Sequence, residues 1–171
     1  MHSQTEFGNE STVEARPRTI AQPRQDRGYS IQRTYAKIGD DGTISELKEP
    51  RVGDRVLVTL RVEIRDRANY IAIDDPLPSI FEAVNPEFKT QQTRAGEVVG
   101  DEWFSDFREL REDRALFFRD HVWPGTFTIR YLARVRAAGT ATAPAAKIEE
   151  MYHPDRFGLT ESVQLTSLPL N

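Results

Sequence analysis

The chain has 171 residues, with 23 Lys and Arg against 27 Asp and Glu for a net charge of −4, and it contains no cysteine. That length supports one domain, which hides roughly 70% of the surface its unfolded chain would expose. The composition excludes structural disulfides, cysteine-based zinc sites and thiol nucleophiles, and an acidic balance without a basic stripe interleaved with aromatics argues against nucleic acid as a partner.

A chain without thiols suits oxidising and reducing compartments equally. The N-terminal stretch MHSQTEFGNESTVEARP lacks the basic-then-apolar layout of a secretion signal, and no run of 18 apolar residues occurs, so direct membrane insertion is not expected. Residues 1–28 are rich in Gln, Arg, Pro, Ser and Thr and poor in apolar anchors, so burial cannot offset their ordering entropy. They are expected to be a linker or an N-terminal arm, with the folded domain spanning 29–171.

From Tyr29 the pattern becomes strand-like in YSIQRTYAKI, and DDGT after it is a turn signal. DRVLVTLRVEIRD alternates most clearly. Val56, Val58, Leu60, Val62 and Ile64 share one face and Arg55, Thr59, Arg61 and Glu63 the other, so one buried face of an antiparallel sheet is predicted. YIAIDDPLP reads as a short strand ended by Pro76, and SIFEAVNPEF as a second short segment closed by Pro86. Residues 89–102 read as an exposed loop.

WFSDFRELREDRALFFRD is expected to form two strands joined by a tight connection. In PGTFTIRYLARVRAAG, Phe127, Ile129, Tyr131, Ala133 and Val135 alternate with Thr126, Thr128, Arg130, Arg134 and Arg136. Pro124 and Gly125 turn into that strand and Gly139 ends it. TATAPAAKIEEMY follows, and SVQLTSL closes the domain. The fold class is therefore all-β: an antiparallel two-sheet β-sandwich, immunoglobulin-like in architecture, of about seven strands.

Candidate chemistry is sparse. Asp74 and Asp75 are adjacent on a strand-like segment and so face opposite ways, which does not suit paired acid catalysis; an acidic turn before Pro76 is the expected role. His121 and His153 lack a third ligand and the i, i+4 spacing of a helical metal motif. No Gly-x-Ser-x-Gly elbow occurs, and AGEVVG lacks the Lys-Ser/Thr of a phosphate loop. No catalytic residue, metal or cofactor is assigned. Arg130, Arg134 and Arg136 form a candidate exposed binding row interrupted by Leu132. Trp103, Phe104, Phe107, Trp123 and Phe127 are expected at the core or its edge, and an exposed Trp103 or Trp123 would favour an alternative, an extracytoplasmic adhesion or carbohydrate-binding module.

The remaining anomaly is KIEEMYHPDRFG. Neighbours on a strand face opposite sides, so Met151 and Tyr152 cannot both enter one core. Beyond the last ladder bond they can project together as an apolar cap.

These segments resemble the C-terminal end of bacterial alpha-2-macroglobulins. The similarity lies in an Asp-x-Leu-Pro-x-x-Phe-Glu-x-x-Asn-Pro segment at Asp75 to Pro86 and Arg-x-Asp-Arg with a Phe-rich strand at Arg111 to Phe118. It continues in Pro-Gly-x-Phe-x-x-x-Tyr-x-x-Arg at Pro124 to Arg134 and in a stretch from Gly139 that ends in Met-Tyr-x-Pro at Pro154. The resemblance covers roughly residues 29–171. It implies a non-catalytic, C-terminal macroglobulin-like domain of a periplasmic or otherwise extracytoplasmic protease-trapping inhibitor. The implied partners are the thioester domain and neighbouring macroglobulin-like domains of the parent chain, with target proteases met by the full-length protein. It further implies that Met151, Tyr152, His153 and Pro154 form an interdomain locking loop whose Met-Tyr pair shields a thioester carried elsewhere, since this chain has no cysteine.

Overall fold

The computed structural model describes residues 21–84 and 105–170. Thirteen strands occur among them: β1 (Gln25–Arg27), β2 (Tyr29–Ile38), β3 (Ile44–Glu46), β4 (Arg55–Ile64), β5 (Ala68–Pro76), β6 (Phe81–Ala83), β7 (Phe107–Arg111), β8 (Arg114–Val122), β9 (Gly125–Val135), β10 (Gly139–Ala143), β11 (Lys147–Glu150), β12 (His153–Leu159) and β13 (Val163–Ser167). They form a six-stranded sheet of order β1-β12-β11-β5-β8-β7, a five-stranded sheet of order β3-β2-β4-β9-β6, and a β10-β13 ribbon. All strand pairs are antiparallel.

The alternation read in β4 is what joins the two large sheets. Val56, Val58, Leu60, Val62 and Ile64 are buried, and β9 presents Ile129, Tyr131, Ala133 and Val135 beside them. From the opposing sheet come Ile71 and Ile73 of β5, Ala115 and Phe117 of β8 and Ile148 of β11, all in the same core cluster. Each such aliphatic side chain contributes about 1.5–3 kcal/mol when fully buried, which makes this the dominant cohesive layer.

The structure differs from the sequence reading in several places. The strand count is thirteen rather than about seven, because β1 and β3 are too short for periodicity to register and the stretch from Gly139 to Leu159 holds three strands, β10, β11 and β12. The segment read as a linker or arm ends in β1, which pairs with β12 from Gln25↔Leu159 to Arg27↔Phe157. The outer face of β4 is not wholly solvated, because Leu57 packs with Ile38 and Leu132 in a second small cluster flanked by Ala36 and Val84. Gly139 opens β10, where its positive φ of 134° suits a residue without a Cβ.

The two strands read in the Phe-rich stretch are β7 and β8, joined by Glu112 and Asp113. The loop read at 89–102 and the side chains of Trp103 and Phe104 lie outside the described residues. Of the aromatics expected at the core or its edge, Phe107 and Trp123 are exposed, while Phe127 is partly buried against the main cluster. Phe107 sits on the edge strand β7 against Phe118, and Trp123 follows the end of β8 with the Arg67 guanidinium 4.7 Å above its ring.

Candidate functional site

β11 lies between β5 and β12 in the middle of the six-stranded sheet. Its apolar position Ile148 is fully buried, and Glu150, at its end, pairs with Ile71 on one side and His153 on the other. The closing pair Glu150↔His153 leaves Met151 and Tyr152 as a two-residue turn. Pro154 then has no N–H to offer the ladder, and the register jumps from Glu150↔His153 to Glu149↔Phe157, so Pro154, Asp155 and Arg156 bulge out.

The bulge returns Arg156 to the base of the turn. Its Nη1 donates to Glu150 Oε2 at 3.0 Å, and its guanidinium lies 5.2 Å from the centre of the Tyr29 ring. The Tyr29 hydroxyl donates to the same Oε2 at 2.9 Å, and the Asn69 backbone N–H reaches Oε1 at 3.4 Å. Glu150 is thus a buried carboxylate with three donors, the arrangement that makes a charge tolerable inside a protein. Burial and the hydrogen bond to Glu150 push the Tyr29 hydroxyl up to about 12, so it stays a donor at any physiological pH.

Above that base the turn is apolar and open to solvent. Met151 is 52% exposed and Tyr152 72% exposed, and His153 and Pro154 are exposed beside them. The Met151 N–H donates to the Tyr70 carbonyl at 2.9 Å, and the Tyr152 ring meets the Tyr70 ring edge-on, with centroids 5.1 Å apart and planes at 85°. His121, expected to be structural or solvated, is exposed. Its Nδ1 is 2.8 Å from Asn69 Oδ1 and its ring is 6.3 Å from that of Tyr70. No group of three or more His, Asp or Glu able to hold a metal ion occurs among the described residues.

The candidate arginine row is elsewhere, on β9 of the five-stranded sheet and just past its end. Arg130 is half-buried, while Arg134 and Arg136 are exposed with Leu132 buried between the first two. Arg134 is held by Glu82 through Nε at 2.9 Å and through Nη2, so much of its charge is matched inside the chain. A shallow groove runs past Glu82, Glu112, Arg134 and Arg136. The turn and the row are therefore separate features on different sheets.

The Asp74-Asp75 pair is not an acidic turn. Both residues lie within β5, and Asp75 is fully buried between the sheets. Arg33 Nη1 donates to its Oδ1 at 2.5 Å and the Tyr131 hydroxyl to its Oδ2 at 2.6 Å, while Arg33 Nη2 donates to the Pro144 carbonyl at 2.6 Å. Burial pushes the Asp75 carboxyl up, opposed by Arg33 and by the Tyr131 hydroxyl. Asp74 faces outward to Arg114 at 3.2 Å. The two carboxylates do not converge on a common space.

The sequence reading missed Glu150, Tyr70 and Arg156 as supports of the turn. For Glu150 a signal existed: alternation puts it on the same side of β11 as buried Ile148, where a charge needs partners. For Tyr70 no local signal existed.

Comparison with known proteins places this antiparallel two-sheet sandwich among the macroglobulin-like domains. The family model described as the bacterial alpha-2-macroglobulin MG10 domain matches residues 28–155. An alpha-2-macroglobulin homolog from Nostoc sp. is 33% identical over 108 residues, which is 63% of this chain and 6% of that protein. A Dictyostelium discoideum protein, circularly permutated Ras protein 2, is 35% identical over 140 residues, 81% of this chain and 3% of that protein. The crystal structure of trypsin-activated alpha-2-macroglobulin from Escherichia coli superposes with a TM-score of 0.72 at 25% identity, covering 86% of this chain and 11% of that one. The chain belongs to the bacterial alpha-2-macroglobulin MG10 domain family, and it spans a small fraction of the length of the relatives it matches.

Proposed function

We propose that this chain is the non-catalytic C-terminal domain of a larger, extracytoplasmic protease-trapping inhibitor, and that its turn of Met151, Tyr152, His153 and Pro154 locks onto the parent's thioester domain and keeps water from the thioester. The observation that carries the reading is the joint outward projection of Met151 and Tyr152 from a turn whose base is fastened by a buried carboxylate. An adaptable thioether beside an amphipathic ring is well suited to an interface that closes and reopens.

The magnitudes suit a lid. Covering the exposed part of Met151 gains about 1 kcal/mol and that of Tyr152 about 1–2 kcal/mol, from the usual area relation. Within one polypeptide, where the effective concentration of the partner is high, so small a contact holds closed and still releases when cleavage elsewhere moves the domains. The trypsin-activated state of the Escherichia coli relative supports a role in which proteases act on the whole molecule. The neighbouring macroglobulin-like domains of the parent are the other partners. A sugar-binding platform on Trp123 is disfavoured because Arg67 already stacks on that ring.

The test is made in the parent protein. Replacing Met151→Ala and Tyr152→Ala together should speed inactivation of the thioester by methylamine by about 10-fold or more, the kinetic equivalent of losing 1.4 kcal/mol of shielding. Unchanged reactivity, or a parent without a Cys-Gln thioester, would contradict the shielding role.

A further inference from the structure

Tyr70 is the least expected backbone in the six-stranded sheet. Its φ is +54°, a left-handed conformation that glycine or asparagine adopts readily and a bulky aromatic residue rarely does. It also drops out of the β5-β8 register, which runs Ala68↔Val122, Asn69↔His121 and then Ile71↔Arg119. At 44% exposure, its ring is not there to fill the core.

What the unusual conformation achieves is aimed at one place. The Tyr70 carbonyl accepts the Met151 N–H, and the Tyr70 ring stands edge-on to that of Tyr152. On either side of it the chain is pinned. Asn69 donates its N–H to Glu150 and holds His121 through Oδ1, the His121 ring leans on Tyr70, and Ile71 pairs with Glu150. A strained residue persists only where its surroundings over-determine it, and such residues cluster at functional positions.

We propose that Tyr70 is a positioning residue for the Met151-Tyr152 turn, holding Tyr152 in its outward pose through the ring contact and fixing the start of the turn through its carbonyl. Its purpose rests on the shielding reading above; its effect on the turn does not. Glycine at this position would relieve the backbone and leave the fold intact while removing the ring. Phenylalanine would keep the ring and drop only the hydroxyl.

The 171-residue chain itself is the test object. In Tyr70→Gly, NMR should show the Tyr152 ring protons moving to the shifts of a freely mobile tyrosine, and the Met151 amide exchanging about 10-fold faster while core amides of β4 and β9 keep their protection. Tyr70→Phe should restore both signals to the parent values. Unaltered Tyr152 shifts and Met151 exchange in Tyr70→Gly would overturn the proposal, and so would a uniform rise in exchange across the core, which marks a merely structural residue. In the longer parent, Tyr70→Gly should raise methylamine reactivity by part of the effect of removing Met151 and Tyr152. If the turn loosens in this chain while neither substitution changes methylamine reactivity, the positioning role stands and the shielding reading falls.

Discussion

Two regions of this domain invert the usual rule of apolar inside and charged outside, and they do so for different reasons. Between the sheets, Arg33 and Asp75 are charged and almost wholly buried, while at the sheet end Met151 and Tyr152 are apolar and exposed. The buried charges are answered within the chain by each other, by Tyr131 and by the Pro144 carbonyl. Over the exposed pair, Tyr70 answers only one edge of Tyr152. An inverted residue whose partners are all internal is part of the architecture, whereas one left open on a rigid base points to something outside the chain.

That contrast can be broken experimentally at either end. The largest effect is expected at the buried pair: Asp75→Ala leaves Arg33 without its partner and should cost about 3–5 kcal/mol in urea unfolding. Replacing both, as Arg33→Met with Asp75→Leu, should recover much of that loss, because the penalty lies in the orphaned charge rather than in the lost attraction. A double variant as unstable as Asp75→Ala would mean that the cluster's geometry, not its charge balance, holds the sheets.

The smallest effect is expected at the turn. Met151→Ser with Tyr152→Ser should lower the unfolding free energy of this chain by no more than about 1.5 kcal/mol, since both side chains are exposed and only the Tyr70-Tyr152 ring pair is lost. A larger loss would make the pair a folding element and weaken the case for an external partner.

The sequence disclosed the parts of the fold that repeat. The two-residue period of Val56 to Ile64 and of Phe127 to Val135 marked the strands that became neighbours at the sandwich centre. It disclosed the turn as an anomaly, because two adjacent large apolar groups before a proline fit no strand face. What stayed hidden was non-local. Arg33 and Asp75 are 42 positions apart and Asp75 and Tyr131 are 56 apart, so Asp75 read as an acidic turn until the sheets brought its partners to it. Tyr70 was hidden for another reason: a left-handed backbone is announced by Gly or Asn, and here a tyrosine adopts it under tertiary constraint. Trp123 read as core or core edge because aromatic residues in strands usually are, but it follows the end of β8 and is exposed.

The central claim, that the open turn is closed by another domain, is tested most directly by the chemistry of Met151, the only methionine besides Met1. Thioether oxidation by hydrogen peroxide follows exposure, so Met151 should oxidise readily in this chain and about 10-fold or more slowly in the intact parent, with the fast rate returning after protease cleavage. Equal rates in the isolated chain and the intact parent would show that nothing covers the turn, and the account of it as a lock would be wrong.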